Sequence, residues 1–309
     1  EWGALFDPIT TLIGASDDLS FRELLPLWEQ HRNDEFNAWI TDRGNLLTFM
    51  QAAQEKLRPP AIAGSSVFWG PSTGDERTPP MGWRLFGQRF TWDSWIHHMV
   101  SPPRLMSRDM VRGLDIMKTF GSRSSEALLN HADYPTMEGL KERLDKLEEL
   151  FASQDESFWQ TNYYMQVLRE IRALATFESG RKFYFTEGAG WNVKSLLSAH
   201  GTWAELRHDT ILYVKQSYAE RAGDGDFEPT FRTKPVPDPV HYIEPNLNYW
   251  IAARDATAML YTTLAHYTML SEETERALTS LTGILDRIIP IVRQEILNET
   301  VATDDVRWI

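Results

Sequence analysis

Arg207, His208 and Asp209 follow one another in the stretch TWAELRHDTILYVKQSY, and they are the residues best suited to chemistry in this chain. An imidazole beside a carboxylate is the minimum for acid–base work or for holding a metal, and an arginine next to them can balance a buried charge. Neighbours on a helix diverge by about 100°, so the three must point three ways: one ion pair, one buried hydrogen bond, one site group. A second such pair, His241 and Glu244, stands three apart in HYIE after a proline-rich loop. If that loop folds back on the helix, His208 or Asp209 could face His241 and Glu244 as a hydrolase site, the other serving as support. The plainer reading of His208 and Asp209 is a buried ion-pair network with Arg207 and Lys215.

The densest mixture of aromatic and polar residues is WRLFGQRFTWDSWIHHMVSPPR, in which Arg84, Arg89, Asp93, His97 and His98 alternate with Trp83, Phe86, Phe90, Trp92 and Trp95. Asp93 and His97 are four apart, so on a helix they share a face and could hydrogen-bond or ligate a metal together. The alternative is an aspartate that orients a half-buried histidine in the core. Asp224, Asp226 and Glu228 alternate like calcium ligands, without the loop order of an EF-hand. No HExxH, GxSxG, GxGxxG or Walker pattern occurs. No cofactor is therefore expected, with calcium at Asp224 to Glu228 or zinc at a His/carboxylate pair as the options.

The elements that must position these groups read as helices. Trp203, Leu206, Thr210, Val214 and Tyr218 recur at three- and four-residue steps, which predicts a core helix opened by a Thr202/Glu205 capping box and ended near Gly223. Other predicted helices begin at Ser20, whose capping box with Glu23 precedes a stripe of Phe21, Leu24, Leu25 and Trp28, and run over 45–57, 136–151, 161–177, 246–270 and 271–298, the last kinked by Pro290. Segments 61–82 and 221–239 are rich in Gly, Pro and polar residues and read as long loops, the first with a short strand near 66–69. The segment 183–191, FYFTEGAGW, reads as a turn. The fold class is all-α: an irregular multi-helix array with long Pro/Gly-rich loops and at most one or two short strands, either a single helical domain over 1–309 or a fragment of a larger helical protein, with a possible sub-boundary near 60–82.

Composition narrows the function. The net charge of −13 argues against a nucleic-acid partner, whose phosphates demand an excess of Lys and Arg. Cysteine is absent, which removes disulfides, thiolate metal sites and a cysteine nucleophile. No apolar run is long enough to span a membrane. The 12 tryptophans fall mostly on helical stripes and belong to the core, although such rings also line grooves for sugars and peptides.

Several stretches taken together resemble an uncharacterised family of exported bacterial and archaeal proteins known only as a domain of unknown function. They are Thr11-Leu-Ile-Gly-Ala-Ser-Asp-Asp18, Gly87-Gln-Arg-Phe-Thr-Trp-Asp-Ser94, Gly113-Leu-Asp-Ile-Met117, Trp203-Ala-Glu-Leu-Arg-His-Asp-Thr210, Lys215-Gln-Ser-Tyr218 and Tyr242-Ile-Glu-Pro245. The resemblance implies a location outside the cytoplasm, secreted or at the cell surface, and transfers no activity and no catalytic residues. Family members are longer, which makes this chain look like an interior to C-terminal piece whose partners are the remaining parts of its parent protein or another subunit. Trp2, Leu5, Phe6 and Trp308 are then expected at open edges.

Two functions are compatible with these features. One is a non-catalytic helical module that binds a glycan, a peptide or a partner subunit. The other is a hydrolase built on His and carboxylate, with or without a metal. The residues to watch are Arg207, His208, Asp209, His241, Glu244, Arg89, Asp93 and His97.

Overall fold

The computed structural model describes residues 2–32, 36–58, 60–62, 84, 86–102, 104–108, 110–177, 183–214 and 242–309. Among them are fourteen α-helices and no strand; the nearest approach to a sheet is a pair of isolated bridges that place Arg89 between Ser16 and Val214. The expected strand near 66–69, the possible sub-boundary near 60–82 apart from 60–62, and the calcium candidate Asp224, Asp226 and Glu228 lie outside the described residues, as does His241.

The array is built around α10 (Tyr163–Ala175). Its buried residues Tyr164, Val167, Leu168, Ile171 and Leu174 form the stripe that the sequence predicts. Asn162 caps its start by accepting the Met165 amide at 2.9 Å. Helix α11 (Ala189–Thr210) and α12 (Leu247–His266) both run antiparallel to it. Arg207 near the end of α11 meets Tyr164 near the start of α10 through Asp93, and the Asn246 carboxamide at the start of α12 donates to the Ala173 carbonyl at 2.9 Å. Helix α13 (Glu272–Leu297) folds back along α12. The Ser271 hydroxyl caps α13, three glutamates follow in its first turn, and Pro290 lies inside the uninterrupted helix.

A second group of helices shares its core with α10. Helices α6 (Gly113–Thr119), α7 (Arg123–Ala132) and α8 (Leu140–Ala152) pack together. Leu140, Leu144, Leu147 and Phe151 of α8 enter one core with Ile116, Leu129, Trp159, Leu168 and Ile171. Two cations are closed inside this group: Arg108 on Asp115 and Asp133, and Lys118 on Glu126 and Asp145, each at 2.7–3.2 Å. Helix α5 (Trp92–Met99) runs into α6. Near the N-terminus, α1 (Trp2–Ile13) lies against α10 and α12. Helices α2 (Phe21–His31), α3 (Phe36–Thr41) and α4 (Arg43–Lys56) make a small aromatic corner, with Trp28 edge-on to Trp39 at 4.5 Å. The short α9 (Glu156–Trp159) and α14 (Thr303–Trp308) complete the set.

Two local expectations are corrected. The central helix does not start at Thr202: α11 begins at Ala189, and the Thr202 hydroxyl bonds to the Ser198 carbonyl inside it. A glycine at 201 costs a helix roughly 1 kcal/mol, and burying Leu196 and Ala199 on the stripe that continues to Leu206 outweighs that. The helix also stops at Thr210, not near Gly223. The chain turns through 211–213 so that the Tyr213 carbonyl can accept the Arg89 amide at 2.6 Å. Val214 is buried as its spacing implies, but the chain reaches it through this turn. In α2 the capping box of Ser20 and Glu23 forms as read; Leu27, beside the expected stripe, is buried, and Leu24, Leu25 and Trp28 are half-buried. At the edges, Phe6 is buried under the Arg89 guanidinium, 3.9 Å from its ring, while Leu5 and Trp308 are exposed.

Candidate functional site

Three of the residues singled out in sequence come together in one closed polar cluster. Asp93, in the first turn of α5, is fully buried. Tyr164 Oη donates to both its oxygens at 3.1 and 3.0 Å, Trp203 Nε1 donates to Oδ2 at 3.0 Å, and Arg207 Nη1 donates to the same oxygen at 3.2 Å. Burial works against its charge, but Arg207, the Trp203 and Thr91 donors and the neighbouring His97 hold the carboxyl below its ordinary value. His97 shares the helix face with Asp93, yet its Nε2 donates to the Arg112 carbonyl at 3.1 Å. Burial and the adjacent Arg207 push the imidazole down to about 4, so it is neutral at pH 7. The cluster therefore locks α5, α10 and α11 together and leaves no face for a substrate.

His208 and Asp209 are not part of a buried network. Both side chains are exposed, at 83% and 64%, and only Arg207 of that trio turns inward. Glu205, His208 and Asp209 each bring a ligand atom within 4.8 Å of the others, a set chemically able to hold a divalent cation on the surface. Glu244 is elsewhere. Its carboxylate pairs with Lys194, fourteen positions before His208 on the same helix, which is about 21 Å along the axis at 1.5 Å per residue. His208 and Glu244 thus do not share a site. Arg89 is buried with its guanidinium against Phe6, and desolvation, reinforced by Arg22, lowers it to about 10.

A concave surface lies at the far end of α10, lined by none of the residues singled out in sequence for chemistry. Cavities of about 420, 500 and 230 Å³ adjoin there and share walls. Thr176 lines all three, Ala173 and Asn248 line the first two, and Gly121 and Phe177 are shared with the third. Together they make one groove around the C-terminal end of α10, bounded by α6, α8, α11 and α12. Gly121 shapes one rim: at φ +99° it closes α6 with its amide on the Lys118 carbonyl, a conformation that favours glycine.

One end of the groove is aromatic. Phe183 lines the first cavity and stands 5.5 Å from Phe185 and 6.1 Å from Tyr242, and Phe185 in turn stands 5.3 Å from Trp191. Tyr184, in the same short turn, is 87% exposed. Trp191 Nε1, Asn192 Oδ1 and Glu244 Oε1 are buried with no partner among the described residues. The other end is charged: Arg169 pairs with Glu156 and Asp255, Glu148 pairs with Lys118, and Arg172 stacks on Trp159. The signals for this site in sequence were the FYF run and the arginines at 169 and 172, on the polar side of an amphipathic helix.

A family model described as "Protein of unknown function (DUF3160)" matches residues 1–309. The chain belongs to that family. No curated protein and no solved structure matches this DUF3160 chain. Its site must therefore be read from its own geometry. No described helix of this DUF3160 chain is long and apolar enough to cross a membrane.

Proposed function

We propose that this DUF3160 chain is a non-catalytic binding module that holds a glycan chain in the groove at the end of α10. The observation that carries this reading is the make-up of the groove: aromatic rings (Phe177, Phe183) together with carboxamides, hydroxyls and arginines (Asn192, Asn248, Thr176, Arg169). Sugars offer apolar C–H faces to rings and hydroxyl groups to amide and guanidinium donors, so such a lining fits them. A peptide bound by strand addition would need an open sheet edge, and the described residues contain no strand. The carboxylates that line the groove, Glu148 and Glu156, are each committed to a cation, which supports binding over acid–base catalysis.

The location outside the cytoplasm implied by the family resemblance belongs to this proposal, because polymeric glycans are met there; fractionation of cells producing the full-length protein tests it. Binding itself is tested on a glycan array followed by titration of tryptophan fluorescence, since Trp191 stands against the aromatic end. Micromolar binding to a glycan, weakened about tenfold by Phe183→Ala, is the expected result. An array with no binder above background would remove the proposal.

A further inference from the structure

The charged end of the groove contains a cation that is in no ion pair among the described residues and feels Glu156 only at longer range. Arg172, in the last turn of α10, lines the cavity of about 500 Å³ together with Asn248, Arg169, Glu148 and Glu156. Of the two carboxylates, Glu156 pairs with Arg169, and Glu148 pairs with Lys118, which Glu126 and Asp145 share. Arg172 makes no ion pair among the described residues. Its guanidinium carbon lies 4.9 Å from the Trp159 ring centre, a cation–π contact that does not use its N–H donors. Burial holds the guanidinium below its ordinary value against the pull of Glu156. A half-desolvated guanidinium of this kind gains more from an anion than one in open water, and its planar fork matches a carboxylate.

Resting on the glycan reading above, we propose that this cavity selects a carboxylate-bearing sugar, a uronate, whose carboxylate pairs with the Arg172 guanidinium while Asn248 serves as a neighbouring donor. The rings at the other end hold the neutral part of the chain and the arginine reads its charge. The net charge of −13 opposes a polyanion at a distance, so recognition is local and operates at physiological salt, where the screening length is about 8 Å.

The test is calorimetric titration at 0.15 M salt with a uronate oligosaccharide and its carboxyl-reduced counterpart, identical except for the charge. The expected result is a preference of about tenfold or more for the uronate, which Arg172→Gln reduces to within about twofold by weakening the uronate far more than the reduced sugar. Arg172→Lys keeps the charge without the fork and is expected to fall between the two; it carries the test if the glutamine variant melts early. Equal binding of the two oligosaccharides, or a preference that survives both replacements, would overturn the inference and leave the glycan reading standing. Binding of neither sugar would overturn both, as would capture of an acidic peptide in their place.

Discussion

Arg207 Nη1 lies 3.2 Å from Asp93 Oδ2, joining α11 to α5 across 114 positions of chain. The aspartate is closed from solvent and the arginine nearly so, and the same carboxylate also takes the Tyr164 hydroxyl and the Trp203 indole. Removing one partner of a buried pair leaves the other charge uncompensated, which costs about 3–5 kcal/mol. Arg207→Met is expected to lose that much in urea melts, and Asp93→Asn in the same background to recover a large part. A loss below about 1 kcal/mol would mean that the cluster does not fix the helices.

Buried His97 and half-buried Glu170 give opposite pH dependences. His97 titrates at about 4 in the fold against its ordinary 6.5, because burial and Arg207 disfavour its charge. The unfolded chain takes up that proton first, so this contribution is complete above about pH 6.5 and is lost as pH falls toward 4. Glu170 is raised by burial to about 8 from 4.5, with only Arg169 opposing. Here the folded chain keeps a proton that the unfolded chain sheds, so its contribution is complete below about pH 4.5 and is lost as pH rises through 8. Glu170→Gln is expected to flatten the decline in melting temperature between pH 6 and 8 and to leave the acid side unchanged. An unaltered slope would contradict the burial of this carboxyl.

Two glycines on the packed helices should respond in opposite directions to alanine. Gly201 lies inside α11 with nothing within 4 Å of where a Cβ would stand, so Gly201→Ala should stabilise by about 0.5–1 kcal/mol through helix propensity alone. At Gly113 a Cβ would come 3.0 Å from His200 Cδ2 and 3.3 Å from the Trp203 ring, which Asp93 holds in place. Gly113→Ala should cost about 1–3 kcal/mol by overpacking. Thermal melts of the two single variants settle both signs.

Those helices also show what the sequence could reveal. Long amphipathic segments were legible because one periodic stripe decides them: α8 and α10 bury the residues their spacing assigns, and the caps Ser20 and Ser271 form as read. Helix α11 was half legible, since Gly188, Gly190 and Gly201 look like breaks until Leu196 and Ala199 are known to face a neighbour. Asp93 and Arg207 could each be marked as chemically notable. Their pairing could not, because it depends on how α5 and α11 cross. Of the groove only loose signals were legible, the FYF run and the arginines at 169 and 172: it is made where the ends of α6, α10 and α12 converge, and no local pattern records a space between helices.

Glycan occupancy of that groove is tested most directly by hydrogen–deuterium exchange on the chain with and without an oligosaccharide taken from the array. Slowed exchange confined to the end of α10, residues 183–192 and the first turn of α12 is the result the glycan reading requires. Protection elsewhere, for example around Glu205, His208 and Asp209, with the groove unchanged, would contradict it.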